Sequence, residues 1–465
     1  MRSTSIRIIG LISSLLLGQV VLLAQSNPNS IYSRFGLGWM DNASPIAQFG
    51  MGGVHQAIAD GSAINLHNPA ASAFLDQTCL QLSARGGYTS ASNQWEHSNY
   101  SDGQIHEMSM GFKKPTGKWS FVFGLAPYTR VGYTLTSKDT LSDTLTAAYK
   151  YKGSGGITKT TLGMSRQFRF TTGIKKSDDG SRDSSNMRAH QLALGCNLNY
   201  LFGNIARENQ VIFNNTENYA TLHKINLWTQ GFSLDIGMQY RASLWTVRDE
   251  KKRMKGGGVL QLGATYARQS NLYAEYTESL TSLRVFSAST IKDTALLVET
   301  TGRLLIPEKM AFGAALRLWG RDWGSLIISG DFSLQNWANY RLNLTTDAQL
   351  DNGLYQAQSL HYGLEFRPAV ERSTGFLSKG QYRLGYRKST TPLRFSGNDI
   401  LQTGYSAGWS IPILNSSSKL HLGAEYCITG TTVDGLIQEK YLQMAFGVSL
   451  TPSIFDRWFR QIKYD

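Results

Sequence analysis

Cysteine, proline, charge and long apolar runs are all scarce in this chain, and each scarcity excludes something. The three cysteines, Cys79, Cys196 and Cys427, are odd in number and far apart. They have no metal-ligand spacing, which argues against a metal centre and a disulfide scaffold. They read as small lipid-facing or buried apolar residues, with a Cys79–Cys427 bridge left open. Only 17% of residues are charged and only 10 are proline, against 46 glycines, 10 Trp, 22 Tyr and 20 Phe. A soluble chain of 465 residues would split into two or more domains. This composition suits one large β-barrel instead. The net charge of +13 invites a nucleic-acid reading, but the basic residues are scattered and no binding motif accompanies them. They fit better as loop and lumen charges facing anionic lipid or an anionic ligand head. No nucleophile elbow and no His-Glu-x-x-His motif occurs, so neither an enzyme nor a cofactor is expected. His361 and His421 fall on inward positions, where a polar lumen explains them.

One apolar run stands out, Ile8 to Leu23, behind Arg2 and Arg7. It reads as a signal peptide over 1–24, with cleavage placed after Ala24. Leu22 at the −3 position is less usual than a small residue. No other run of about 18 apolar residues appears, so no transmembrane helix is expected after the signal. Mean hydropathy is −0.25. A membrane barrel gives such a value, because only alternate residues face lipid.

What is present begins with a glycine-rich stretch from Gln48 to Leu75. It contains Phe49-Gly50-Met51-Gly52-Gly53-Val54 and then Asn65-Leu66-His67-Asn68-Pro69-Ala70-Ala71. It has little periodicity, and Asn68-Pro69 sets a turn. The segment 25–77 is read as a plug for the lumen of a barrel that follows. A solvated arm is the competing reading, but an arm has no need of Phe49, Met51, Ile64, Leu66, Phe74 and Leu75. Gly36 and Gly38 are not a dinucleotide fingerprint, since no strand precedes them.

From Thr78 the period is two. About fourteen strands are expected, near 78–89, 103–113, 118–135, 156–168, 189–203, 230–247, 257–279, 308–319, 324–333, 358–366, 380–388, 402–411, 419–427 and 440–450. In the last, Leu442, Met444, Phe446, Val448 and Leu450 oppose Gln443, Ala445, Gly447 and Ser449. The barrel spans 78–450, and a tail of 451–465 is placed in the periplasm. The odd-numbered links read as long outer loops and most even-numbered links as short inner turns. Phe170–Arg188 and Arg367–Lys379 break that rule as longer inner links, read as flexible loops.

The motif Gly50-Met51-Gly52-Gly53 followed by Asn68-Pro69-Ala70 resembles the hatch of the FadL-type outer-membrane transporters, which carry long-chain fatty acids and other hydrophobic compounds. Ile306-Pro307 before Ala311-Phe312-Gly313, Ser329-Gly330-Asp331-Phe332 with Asn336-Trp337, and Tyr382-Arg383-Leu384-Gly385-Tyr386 are similar to later strands of that family. The tail departs from the family's pattern of closing on a terminal aromatic. The resemblance implies an all-β, fourteen-stranded transmembrane barrel in the bacterial outer membrane, with an N-terminal hatch. It implies outer-membrane lipid and a small hydrophobic ligand as partners, and passive uptake as the role. Some barrels similar to this family instead act as accessory subunits of a protein-secretion machine, and that alternative is carried forward.

Three sets of residues could carry mechanism. In the third strand, Pro127 cannot donate to a ladder. With Gly124 and Gly132 beside it, a bulge or kink is expected. The resemblance turns this into a lateral opening; an innocuous bulge near the rim is the bland reading. Strand parity places Arg85, Glu107, Arg317, Asp331, Glu365, Arg383, Arg387 and Glu425 inside. The expected pairs are Arg85 with Glu107, Arg317 with Asp331, and Glu365 with Arg383. Such pairs brace a wall, or else Arg85 or Arg383 receives a ligand carboxylate. Phe35, Phe49, Met51, Phe74 and Leu75 either line an apolar ligand pocket or pack the plug to the wall. Gly50, Gly52 and Gly53 are the expected flexible points if the plug moves.

Overall fold

Fourteen antiparallel strands close on themselves in the computed structural model. It describes residues 30–40, 44–114, 117–143, 145–172, 175–176, 182–183, 188–214, 218–248, 253–284, 290–345, 349–350, 353–369, 377–395, 397–413 and 417–451. The strands are β1 Cys79–Ser92, β2 His97–Lys113, β3 Trp119–Thr140, β4 Thr146–Thr172, β5 Arg188–Phe213 and β6 Ala220–Arg248. Next come β7, in two pieces Met254–Ala267 and Ser270–Arg284, and β8, in two pieces Thr290–Ile306 and Lys309–Gly320. β9 Gly324–Asn336 continues as Arg341–Leu344. The wall is completed by β10 Gln356–Pro368, β11 Gln381–Phe395, β12 Asn398–Pro412, β13 Lys419–Thr429 and β14 Gln438–Leu450. β14 pairs with β1 from Leu80 opposite Leu450 to Ser92 opposite Gln438, which closes the barrel. Every strand expected from the sequence has its counterpart, in the same order.

Alternation sets which way each residue faces. On β1, Gln81, Ser83 and Arg85 are buried while Leu82 is 53% exposed. Across the wall, Phe121, Leu162, Phe232, Phe312, Leu384, Tyr405 and Met444 are exposed in the same sense. An exposed apolar band around a polar interior is the reverse of a water-soluble fold and the arrangement of a barrel solvated by lipid.

The long outer loops expected at one end are mostly strand. β1 and β2 are separated only by residues 93–96, β3 and β4 by 141–145, and β11 and β12 by 396–397. The reason is physical. Beyond the apolar band both faces of a strand meet water or other protein, so period-two patterning fades while pairing continues. The breaks in β7 and β8, at 268–269 and at Pro307–Glu308, lie opposite each other. They divide the lower wall from an upper sheet in which β6, β7 and β8 stay paired. Among the described residues the other end has short connections, Lys113 to Trp119, Gly320 to Gly324 and Pro412 to Lys419. The two links expected to be longer hold a small hairpin of Lys175–Lys176 with Arg182–Asp183, and a turn of 3-10 helix at Leu377–Lys379. The signal segment and residues 452–465 lie outside the described residues.

A layer of buried apolar side chains spans the upper lumen. It draws Val131 and Tyr133 from β3, Ile205 from β5, Leu272 from β7, Leu304 from β8, and Trp337, Tyr340 and Leu342 from the β9 region. Leu393, Ile400 and the N-terminal Tyr32 and Leu37 complete it. Each such side chain contributes about 1.5–3 kcal/mol by leaving water.

Candidate functional site: a pinned plug, a cavity and an open seam

Residues 44–75 fill the lower lumen and are almost continuously buried. Two short 3-10 helices organise them, Ile46–Met51 and Pro69–Phe74. Asn68 caps the second: its side-chain oxygen accepts from the Ala70 amide at 3.0 Å, and its Nδ2 donates to the Gln56 carbonyl at 2.8 Å. Pro69 occupies the first helical position, where its missing N–H costs nothing. The Asn-Pro-Ala motif is thus a cap tied to the far side of the plug.

Glycines on the two surfaces let backbone meet backbone. A Cβ on Gly385 of β11 would lie 1.8 Å from the Gly52 nitrogen, and one on Gly50 would lie 2.4 Å from Gly408 of β12. Gly52 also ends the first helix at φ 67°, a conformation that suits glycine. In this structure these glycines let plug and wall backbones pack closely.

The wall then holds the plug from many directions. The Asp331 carboxylate on β9 accepts from the backbone N–H of His55 at 2.6 Å and of Gln56 at 2.8 Å. The His361 ring donates to the Gly52 carbonyl at 2.6 Å, and the Gly52 N–H donates to Ser406 Oγ at 2.7 Å. Gln239 donates to the Gln56 carbonyl, Arg241 to that of Ala59, Asn197 to that of Leu66, and Lys113 to that of Ala73. Lys419 pairs with Asp60 at 2.8 Å. Burial alone would raise the Asp60 carboxyl, but Lys419 and then Arg367 outweigh it and hold the group well below its ordinary range. At about 1 kcal/mol per net hydrogen bond, this set is worth on the order of 10 kcal/mol.

The expected charge pairs are only partly formed. Glu365 and Arg383 face each other and bond at 2.8 Å. Asp331 instead spends its carboxylate on the plug, and its cross-strand partner is Gly313 rather than Arg317. Arg85 donates to the Ser44 carbonyl at 2.8 Å and lies 4.7 Å over the Phe49 ring, while Glu107 accepts from Gln81 and Ser109. A pair absent from the sequence reading joins Arg387 to Glu425 at 2.5 Å. Arg383 is fully engaged by Glu365, Gln381 and Ser410. The three cysteines are free; Cys79 stands at the start of β1 and Cys427 near the opposite end of β13, so no bridge joins them.

Between the plug and the upper apolar layer lies a cavity of about 250 Å³. Phe35 lines it, together with Trp39, Met40, Leu354 and Leu393. Phe49, Met51, Phe74 and Leu75 do not; they pack plug to wall, Met51 against Ala315 and Ile327, Leu75 against Val122, and Phe74 under the Arg241 guanidinium. Two lysines missed by sequence reasoning, Lys159 of β4 and Lys309 of β8, enter the cavity with Tyr128, Asp235 and Gln335. His55 and His67 of the plug also face it, their rings 5.0 Å apart. Burial lowers the His55 ring from 6.5 to about 4, with Lys309 and Lys159 pushing the same way and the Gly53 carbonyl opposing.

The cavity reaches the wall at Ala126-Pro127-Tyr128. β2 and β3 pair only from Lys113 opposite Ser120 to Met108 opposite Leu125. Above Pro127, β3 slips its register with β4 by a bulge and leaves β2 altogether. Its freed edge is covered from inside. Trp39 and Met40 pair with Arg130 and Thr129, and Ser30 N–H donates to the Gly132 carbonyl at 2.9 Å. Asp102 of β2 reaches across to Arg130 at 3.9 Å. Gly124, the other glycine near the kink, sits in the paired lower part, against Leu66 of the plug.

A family model described as BamG matches residues 6–177 and 185–465. No curated protein matches the chain. Among solved structures, the toluene transporter TodX of Pseudomonas putida is similar at 14% identity and a TM-score of 0.53, over 88% of this chain and 98% of that one. The toluene transporter TbuX of Ralstonia pickettii is similar at 11% identity and a TM-score of 0.50, over 88% and 98%. At such identity the likeness shows the shared barrel fold alone.

Proposed function

The chain belongs to the BamG family, and on that premise we propose that it is an outer-membrane barrel that takes a small hydrophobic or amphiphilic molecule into its lumenal cavity through the β2–β3 seam. The exposed apolar band supports the membrane placement. The observation that carries the functional reading is that the cavity wall and the unpaired seam share residues: Ala126, Pro127 and Tyr128 on β3, and Trp39 and Met40 on the covering segment. Moving the plug would break a set of bonds worth on the order of 10 kcal/mol. Lifting Trp39–Met40 alone breaks only a short ladder and leaves the neighbouring bonds of Ser30 and Ile31 to Gly132 and Glu439 in place. A lateral route then needs only the end of this segment to move.

The apolar wall formed by Phe35, Met40, Leu354 and Leu393 suits a hydrocarbon or aromatic body. Lys159 and Lys309 suit an anionic head. They face Ala126 and Leu201, and Ala267 and Gln335, directly across their strands; Asp235, the other ladder partner of Ala267, lines the same cavity as the acidic group on that side. The head group is thus assigned to these lysines rather than to Arg85 or Arg383.

A second reading keeps the barrel as an interaction subunit of a protein-secretion machine. The plug is pinned around its contour and an apolar layer crosses the upper lumen, as suits a wall that is not a channel. Native mass spectrometry on detergent-purified barrel separates the two. A stoichiometric hydrophobic molecule, reduced at least tenfold by Lys159→Gln with Lys309→Gln, supports uptake. An empty cavity with a co-purified protein subunit overturns it.

A further inference from the structure

We infer that the outer wall carries a phospholipid headgroup site at Arg166, where the guanidinium receives a lipid phosphate at the edge of the membrane nearest the short turns. The inference rests on the membrane-barrel reading. Arg166 lies on the outward face of β4, in step with Leu162, Met164 and Phe168, which are exposed to the exterior. Its cross-strand neighbours are Trp119, the first residue of β3, and Leu194 of β5. That position is level with the turn between Lys113 and Trp119, the boundary of the wall.

The guanidinium is held by aromatic rings and has no counter-charge among the described residues. Its carbon lies 5.0 Å from the Trp119 ring and 5.0 Å from the Phe168 ring. Its Nε is buried and has no hydrogen-bond partner. The outward positions of β3 to β6 around it, Phe121, Phe123, Met164, Leu192, Leu194 and Met238, include no carboxylate. An unpaired arginine on the lipid face is costly toward the bilayer centre and tolerated at the interface, where headgroup phosphates are at hand. The planar fork matches two phosphate oxygens, and stacking on rings fixes it in place.

Polar aromatic groups extend the same shelf. The His190 ring stacks on Phe170 at 5.2 Å and on Tyr240 at 6.0 Å, and shares hydrogen bonds of 2.7 Å with Thr172 and with the Tyr240 hydroxyl. The site thus offers a cation on an aromatic floor, with apolar wall running from it toward the membrane centre for the acyl chains. The membrane leaflet at this end of the barrel is the source of the phosphate.

The test uses the full barrel in lipid nanodiscs containing phosphatidylcholine with a minority of phosphatidylglycerol, followed by native mass spectrometry under stepwise delipidation. Wild type should keep about one phosphatidylglycerol after the bulk lipid is lost, and added inorganic phosphate should not displace it. Arg166→Gln should lower that retention about tenfold or more, and Arg166→Lys should restore part of it. Equal retention by wild type and Arg166→Gln overturns the site, as does wild type that keeps no lipid. Heat-modifiable migration of each variant reports insertion separately. A chain that fails to insert refutes the membrane reading itself, whereas an inserted barrel without lipid preference refutes only the site.

Discussion

Replacing Asp331 with Ala tests how firmly the wall holds the plug. One oxygen of this carboxylate accepts the backbone N–H groups of both His55 and Gln56, at 2.6 and 2.8 Å. Hydrogen bonds to a charged acceptor are worth about 1.5–3 kcal/mol and neutral ones about 0.5–1.5 kcal/mol. An alanine removes the acceptor and leaves both N–H groups buried without it, offset in part by no longer burying a carboxylate whose other oxygen has no partner among the described residues. The expected loss is about 1.5–3 kcal/mol from a total on the order of 10 kcal/mol. At 1.4 kcal/mol per decade, amide exchange at His55 and Gln56 should accelerate by about 10- to 100-fold. Hydrogen–deuterium exchange on the reconstituted barrel reads this directly. The amides of Trp39 and Met40, on the seam, should exchange faster than those of the plug in wild type and change little in the variant. A variant whose His55 and Gln56 exchange as in wild type would refute the assignment of plug stability to this carboxylate. Seam amides slower than plug amides would refute the lateral route.

Three further outcomes follow from the same geometry. Joining Met40→Cys to Thr129→Cys, which face each other across the short ladder, should lock the cover when oxidised, and ligand loading should fall at least tenfold and return on reduction; loading that ignores the redox state, with the bridge shown to form, refutes the seam as the entrance. Gly385→Ala should dislodge the plug segment at Gly52, because its Cβ would lie 1.8 Å from the Gly52 nitrogen; exchange across 50–56 should rise while the barrel still migrates as folded. The pH dependence has a definite sign. His55 is lowered from 6.5 to about 4 in the fold, so the unfolded chain binds the proton more readily. The ring therefore stabilises fully above pH 6.5, and that contribution, about 1–3 kcal/mol, is lost as pH falls toward 4. Thermal melts between pH 7 and 4.5 should show it, and His55→Gln should flatten the slope.

The barrel was legible because lipid and lumen impose opposite demands on alternate residues. Leu442, Met444 and Phe446 on β14 show that constraint plainly, and all fourteen strands follow it. The upper extensions were not legible for the same reason. Segments such as Thr134 to Thr140 and Thr146 to Lys152 lie beyond the apolar band, and their exposure does not alternate cleanly. The plug aromatics illustrate a second limit. Phe49 and Phe35 look alike in sequence, yet one packs under Arg85 and the other lines the cavity. Apolarity predicts burial and not what lies on the other side. Lys159 and Lys309 left a fainter signal. Both sit on inward parity, two residues from Ile157 and Ala311, and neither has an acidic residue opposite once register is known. The sequence does not fix register across strands to one residue, and a one-residue slip turns every such assignment outward.

The seam and the cavity explain each other. Pro127 takes a donor out of the ladder, and the adjacent bulge turns β3 away from β2 just where the cavity reaches the wall. A closed barrel would otherwise have no unsatisfied edge, and an edge left bare in hydrocarbon costs several kcal/mol per unpaired group. The chain meets that cost on β3 with its own segment, Trp39 and Met40, rather than with β2. A cover of this kind satisfies β3 without using any of the long strand pairs. On the proposed reading it is this cover, rather than the plug or the upper apolar layer, that would move. An anionic head admitted there would meet Lys159 and Lys309, which line the same cavity.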